Sequence, residues 1–298
     1  MTLFKENICG HKDWAEVYQS IPAFYDLIRF IADKEGLPFV EPENLTPGTN
    51  AVFRLGGYVV KIFAPDESGM NQTQDYETEL FATKRAFNLG VSVPRIAGSG
   101  VVEDRYSFRY LIMDFIEAVP FDRLELTQSG KAEFAGKLRD ITDRLNTPCE
   151  EFNGIDVFAD TYSNRRWDSY TPAFREGKEE YISAFSYGEK LFVHGDLCGD
   201  NILTDGRGRI NIIDFADSVL APQVYEHALI AAELFDFDRG LISGFFGGLS
   251  VDEITEICLG GLLIHDFGGD VISQHLGNPK EFHTIHELRN RIRGRLSG

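Results

Sequence analysis

Phe192-Val193-His194-Gly195-Asp196-Leu197-Cys198-Gly199-Asp200-Asn201-Ile202-Leu203 is the stretch whose reading decides the fold. The run Lys190 to Val193 has the apolar, β-branched character of a short strand, and the chain leaves it to present Asp196. Asn201 stands five positions further on, and Asp214 thirteen beyond that, after a second strand-like run from Arg209 to Ile213. Phosphoryl transfer needs these three parts. One carboxylate accepts or orients the proton of an attacking hydroxyl, and two hard oxygen ligands hold the magnesium that bridges nucleotide phosphates. Asp196 suits the first role; Asn201 and Asp214 suit the second.

Working outward, the chain changes character along its length. Apolar residues from Trp14 to Lys34 recur at spacings of three and four, which predicts one amphipathic helix. Leu45 to Ile62 carries Gly48, Gly56 and Gly57 among β-formers and predicts a hairpin ending in Tyr58-Val59-Val60-Lys61-Ile62-Phe63. Asp75 to Asn88 reads as a helix closed by Gly90, and Tyr106 to Phe115 as a strand. From about Ile116 the pattern is mainly helical, as in the period of Phe134, Leu138, Ile141 and Leu145. Strands followed by helices predict an α+β chain, divided as residues 1–116 and 117–298.

Taken together, His194-Gly195-Asp196-Leu197 with Asn201, and Asp214-Phe215-Ala216 downstream, resemble the aminoglycoside phosphotransferase family. The resemblance implies a protein-kinase-like two-lobed fold, with a small β-rich N-lobe that binds nucleotide and a larger helical C-lobe. It implies ATP or GTP as phosphate donor and Mg²⁺ as cofactor. It assigns Asp196 as the catalytic residue and Asn201 and Asp214 as metal ligands. Lys61 would reach the α and β phosphates, partnered by Glu79, with Glu77 as second choice because two residues along a helix face different ways. Gly48-Thr49-Asn50 resembles the family's shortened phosphate loop, where glycine lets backbone N–H groups approach phosphate oxygens. Leu111 to Ile116 resembles its hinge, with Met113 near the base and Asp114 C=O and Ile116 N–H on its edge. A literal Asp266-Phe267-Gly268 lies in a helical region, so Asp214 is preferred.

Composition narrows the partners. The 298 residues hold 29 Lys and Arg against 47 Asp and Glu, a formal charge of −18. That excludes a general nucleic-acid binder and docking on an anionic membrane, and it suits a cationic, hydroxyl-bearing small molecule. Within the family, aminoglycoside antibiotics are the best-known acceptors, which would make this a resistance enzyme. Asp217, Glu226, Asp266 and Asp270 are candidates for contacting their ammonium groups, with Asp236 and Asp238 also available. The alternative acceptor is a metabolite hydroxyl on an amino alcohol, amino acid or sugar. Gly195 replaces the arginine that protein kinases use at a phosphorylated activation loop, which counts against a protein kinase. Retention of Asp196, Asn201, Asp214 and Lys61 counts against a pseudokinase. The four cysteines form no C-x-x-C pair, and no apolar leader opens the chain, so a cytoplasmic location is expected.

Overall fold

The computed structural model describes residues 2–46, 48–70, 72–159 and 164–298. The chain divides into two compact units, Met1–Asn88 with Ser92–Glu117, and Leu89–Val91 with Ala118–Gly298.

The first unit is built on an antiparallel five-stranded sheet in the order β1-β2-β3-β5-β4. Its strands are β1 (Glu43–Asn44), β2 (Ala51–Leu55), β3 (Tyr58–Ile62), β4 (Ile96–Glu103) and β5 (Ser107–Asp114). The β2–β3 turn falls on Gly56-Gly57, and Gly56 takes φ 62°, a left-handed value open to glycine. The predicted single helix from Trp14 to Lys34 is two: α1 (His11–Val17) and α2 (Ile21–Lys34). Ser20 breaks it. Its hydroxyl accepts from the Ala23 N–H and Pro22 occupies the first turn, so Ser20 starts a new helix in place of continuing the old one. Phe24, Leu27, Ile28 and Ile31 of α2 are fully buried and join one core with Phe53, Val60, Ile62, Phe108 and Ile112 of the sheet. Alternation along β3 sends Lys61 to the opposite sheet face from Val60 and Ile62. On α3 (Gln72–Asn88), the buried residues Thr78, Glu79, Ala82, Thr83 and Ala86 form the inward stripe.

The second unit is largely helical. α4 (Gln128–Leu145) starts at a Thr127 N-cap and buries Phe134, Leu138, Ile141 and Leu145. Two small sheets interrupt the helices. One pairs β7 (Leu191–Val193) with β10 (Val219–Ala221); the other runs β6 (Ala118–Pro120), β8 (Ile202–Asp205), β9 (Ile210–Ile212). β6 and β10 are three residues each, too short to show a period in sequence. The helix Val224–Leu229 runs on as one π turn over Ile230–Leu234, and helices 172–184, 239–246, 251–264, 268–275 and 285–297 complete the unit. No helix among the described residues is long and apolar enough to cross a membrane.

Candidate active site

The β8–β9 hairpin explains the thirteen-residue spacing between Asn201 and Asp214. Asp205 makes the turn by accepting from the Arg207 and Arg209 N–H groups at 2.9 and 3.0 Å. The register then pairs Ile202 with Ile212, and the Ile213 N–H donates to the Asn201 carbonyl at 3.0 Å. Asn201 and Asp214 therefore stand together at the open end of one hairpin. Asn201 turns its amide toward Asp196, donating from Nδ2 to the Asp196 carbonyl and to Asp196 Oδ2, both at 2.9 Å. With Nδ2 so engaged, Oδ1 is left as the atom to meet a cation. Asp214 has φ 61°, in the left-handed region that a non-glycine residue enters at an energetic cost. Asn201 Oδ1 and the Asp214 carboxylate are hard oxygens, the donor type magnesium selects. Among the described residues no group of three His, Cys, Asp or Glu forms a metal cluster. A two-ligand site completed by water and phosphate fits magnesium, which dehydrates reluctantly.

Asp196 is half-buried. Burial, then Asp214 and Glu233, raise its carboxyl to about 6, against hydrogen bonds from Asn201 and Cys198. It is thus ionised at neutral pH and still basic enough to take a proton. Cys198 Sγ lies 3.9 Å from Asp196 Oδ2, and burial pushes its thiol up to about 12, so it is no nucleophile.

Three buried groups hold this loop. His194 is fully buried; its Nδ1 accepts from the Asp196 N–H at 3.2 Å, so Nε2 carries the proton and donates to the Ile213 carbonyl at 3.0 Å. One imidazole thereby ties the Asp196 loop to the Asp214 strand. Burial keeps it neutral, lowering it to about 4. Gly195 has φ 86°, and a Cβ there would lie 2.0 Å from the Asp217 carbonyl oxygen. The close approach of that backbone leaves no room for the arginine of protein kinases, a reason the sequence alone did not expose.

Glu226 is the third, and it corrects an expectation. It was a candidate for acceptor binding, but it is fully buried. Its carboxylate accepts from His194 N–H at 2.8 Å, from Gly195 N–H at 3.4 Å and from Asn146 Nδ2 at 2.6 Å. Burial raises it to about 7 against those donors. The only sequence signal was a carboxylate set, beside His227, in the otherwise apolar run from Tyr225 to Ala232.

The other proposed acceptor contacts also have partners. Arg166 sits over the Phe267 ring at 4.7 Å and pairs with both Asp270 and Asp266, the latter at 3.5 Å. Burial raises the Asp266 carboxyl against the pull of that guanidinium. Asp217 is exposed and contributes its backbone at Gly195. Asp238 caps the helix 239–246 and pairs with Lys131, and Asp236 pairs with Arg295 at 2.6 Å. Sequence reasoning passed over Glu233 of the π turn, whose charge acts on Asp196. Its own carboxyl is raised by burial, and by Asp122 and Asp270.

In the first unit, Lys61 Nζ lies 2.7 Å from Glu79 Oε2, with side chains 6% and 1% exposed, whereas Glu77 is exposed. The Asn50 side chain is turned inward, its Oδ1 accepting from Ala64 N–H at 3.3 Å, while Gly48 and Thr49 are exposed, so the backbone of residues 48–50 and the Thr49 hydroxyl are the groups available to a phosphate. Met113 and Ile116 are half-buried. Asp114 closes on Arg95 through two hydrogen bonds at 3.1 and 3.2 Å, and Phe115 N–H donates to Gly57 O at 2.8 Å.

A family model described as "Phosphotransferase enzyme family" matches residues 46–256. A search of curated protein sequences returned no match. Among solved structures, a choline kinase from Streptococcus pneumoniae is 17% identical with a TM-score of 0.55, over 91% of this chain and 99% of that one. The GDP complex of wild-type aminoglycoside 2'-phosphotransferase-IIIa is 14% identical with a TM-score of 0.58, over 91% and 98%. A microcompartment-associated aminopropanol kinase is 13% identical with a TM-score of 0.57, over 91% and 94%. At such identities the likeness establishes the kinase-like fold.

Proposed function

The chain belongs to the phosphotransferase enzyme family, and on that premise we propose that it transfers the γ-phosphoryl group of ATP or GTP to a hydroxyl of a small, ammonium-bearing molecule. That it is a small-molecule kinase follows from the family; the acceptor class is our reading. The observation that carries it is the Asp196 carboxylate, hydrogen-bonded by Asn201 at 2.9 Å and raised by burial, by Asp214 and in part by the charge of Glu233. An acidic side chain acting on the catalytic carboxylate suits a cationic acceptor.

In this reading Asp196 orients the acceptor hydroxyl and takes its proton as the new P–O bond forms. Asn201 Oδ1 and Asp214 would hold magnesium, which when bound neutralises charge on the phosphates. Lys61, kept in place by Glu79, would contact the α and β phosphates, and the backbone of residues 48–50 the outer ones. The segment 113–116 would present Asp114 C=O and Ile116 N–H to the base. Aminoglycosides are the polycationic members of the proposed acceptor class. A smaller amino alcohol is a second reading, favoured because Arg166 already neutralises Asp266 and Asp270.

The test is purified protein with Mg²⁺ and ATP or GTP against aminoglycosides, amino alcohols, amino acids and sugars. Diphosphate release and product mass are read together. A phosphorylated amine-bearing alcohol is expected; phosphorylation of neutral sugars alone would sink the acceptor reading. Asp196→Asn should lower kcat by roughly 10²–10⁴-fold with nucleotide affinity kept.

A further inference from the structure

The residues ahead of the matched family region form a strap that ends on the phosphate loop. Leu3 N–H and Phe4 N–H both donate to Asp104 Oδ2, at 2.9 and 2.8 Å, in the turn between β4 and β5. Ile8 N–H donates to the Tyr106 hydroxyl at 2.9 Å. Phe4 is fully buried, its ring 5.0 Å from both Phe24 and Phe108. The strap then enters α1, which packs against the turn Asp66–Ser68 and delivers Trp14. Trp14 is 1% exposed, meets Phe24 edge-on, and donates its indole N–H to the Thr49 carbonyl at 2.9 Å.

That bond has a directional consequence. The Thr49 carbonyl and the Asn50 N–H share one planar trans peptide and point opposite ways. Tying the carbonyl to a buried indole turns the Asn50 N–H away from that core. The Asn50 side chain, anchored to Ala64 N–H, braces the next residue. The loop is thus held from two sides with a backbone donor outward, the arrangement that favours an anion.

We propose that Trp14 is a positioning residue for the triphosphate, setting the Thr49–Asn50 peptide through the strap formed by residues 3–14. The proposal rests on the kinase reading above, and the experiment separates the two. Affinities of the full chain for Mg²⁺-ATP and for adenosine are measured by calorimetry (Mg²⁺-GTP and guanosine if guanine is preferred), beside the melting temperature. Trp14→Phe keeps an aromatic ring, smaller than the indole, and deletes the donor. It should weaken triphosphate binding about five-fold, the worth of one ordinary hydrogen bond, and leave nucleoside affinity unchanged. Equal loss for both ligands, or loss for neither, overturns the proposal. If Trp14→Phe does not fold, Tyr106→Phe, which frees the strap at Ile8, is held to the same selective loss. A wild-type protein that binds no triphosphate would instead refute the kinase reading itself.

Discussion

At the scale of single residues, the loop that presents Asp196 depends on side chains buried away from solvent, His194 and Glu226. Glu226 is the clearest. Three donors converge on its carboxylate inside a fully buried space. Glu226→Ala would strand the His194 and Gly195 amides without water to replace it, while Asn146 Nδ2 would keep its bond to the Phe192 carbonyl. Buried donors left unpaired cost about 1–3 kcal/mol each, so the substitution should lower stability by at least about 2 kcal/mol in denaturant titration. A loss under about 1 kcal/mol would show that water reaches the site. Asp196, Asn201 and Asp214 stood out in sequence as candidates because their chemistry and spacing are unusual together. Glu226 was misread as an acceptor ligand because a glutamate looks the same in sequence whether it faces solvent or a backbone.

Among the elements, β3, α3 and the β8–β9 hairpin each place a functional group by their own periodicity. Lys61 and Glu79 meet because β3 alternates and α3 turns every 3.6 residues, and Glu77 fails on the same count. Hydrophobic spacing was enough to find these elements. It was not enough to find the break at Ser20, because the apolar stripe runs through Val17 and Ile21 without interruption. The break is a matter of capping. Ser20→Ala should cost about 1 kcal/mol, seen as a lower melting temperature, with no change in nucleotide affinity. An unchanged melting temperature would mean that packing of Phe24 and Leu27 alone starts α2.

Over the whole molecule, buried titratable groups set opposing pH dependences. Burial lowers His227 to about 3, with Arg139 adding to it, from an ordinary 6.5. Below pH 6.5 the unfolded chain takes up a proton that the folded chain refuses, so this stabilisation is present above 6.5 and lost on acidification. Glu226 runs the other way: raised from 4.5 to about 7, it destabilises the fold as pH climbs through that interval. Stability profiles from pH 5 to 7 should therefore tilt oppositely in His227→Gln and Glu226→Gln, each by up to about 1.4 kcal/mol per pH unit relative to wild type. Parallel profiles would contradict the burial of both groups. What the sequence determined by itself was the class of chemistry and the fold that carries it. Phosphoryl transfer needs particular atoms at particular spacings, and alternating and helical patterns are written locally. Which carboxylates are free was decided only by tertiary structure. Arg166, Glu226 and Glu233 take their roles from neighbours far along the chain, Asn146 and Asp270 among them. Ionisation and pairing depend on burial and distance, and neither is a property of a residue's place in the sequence.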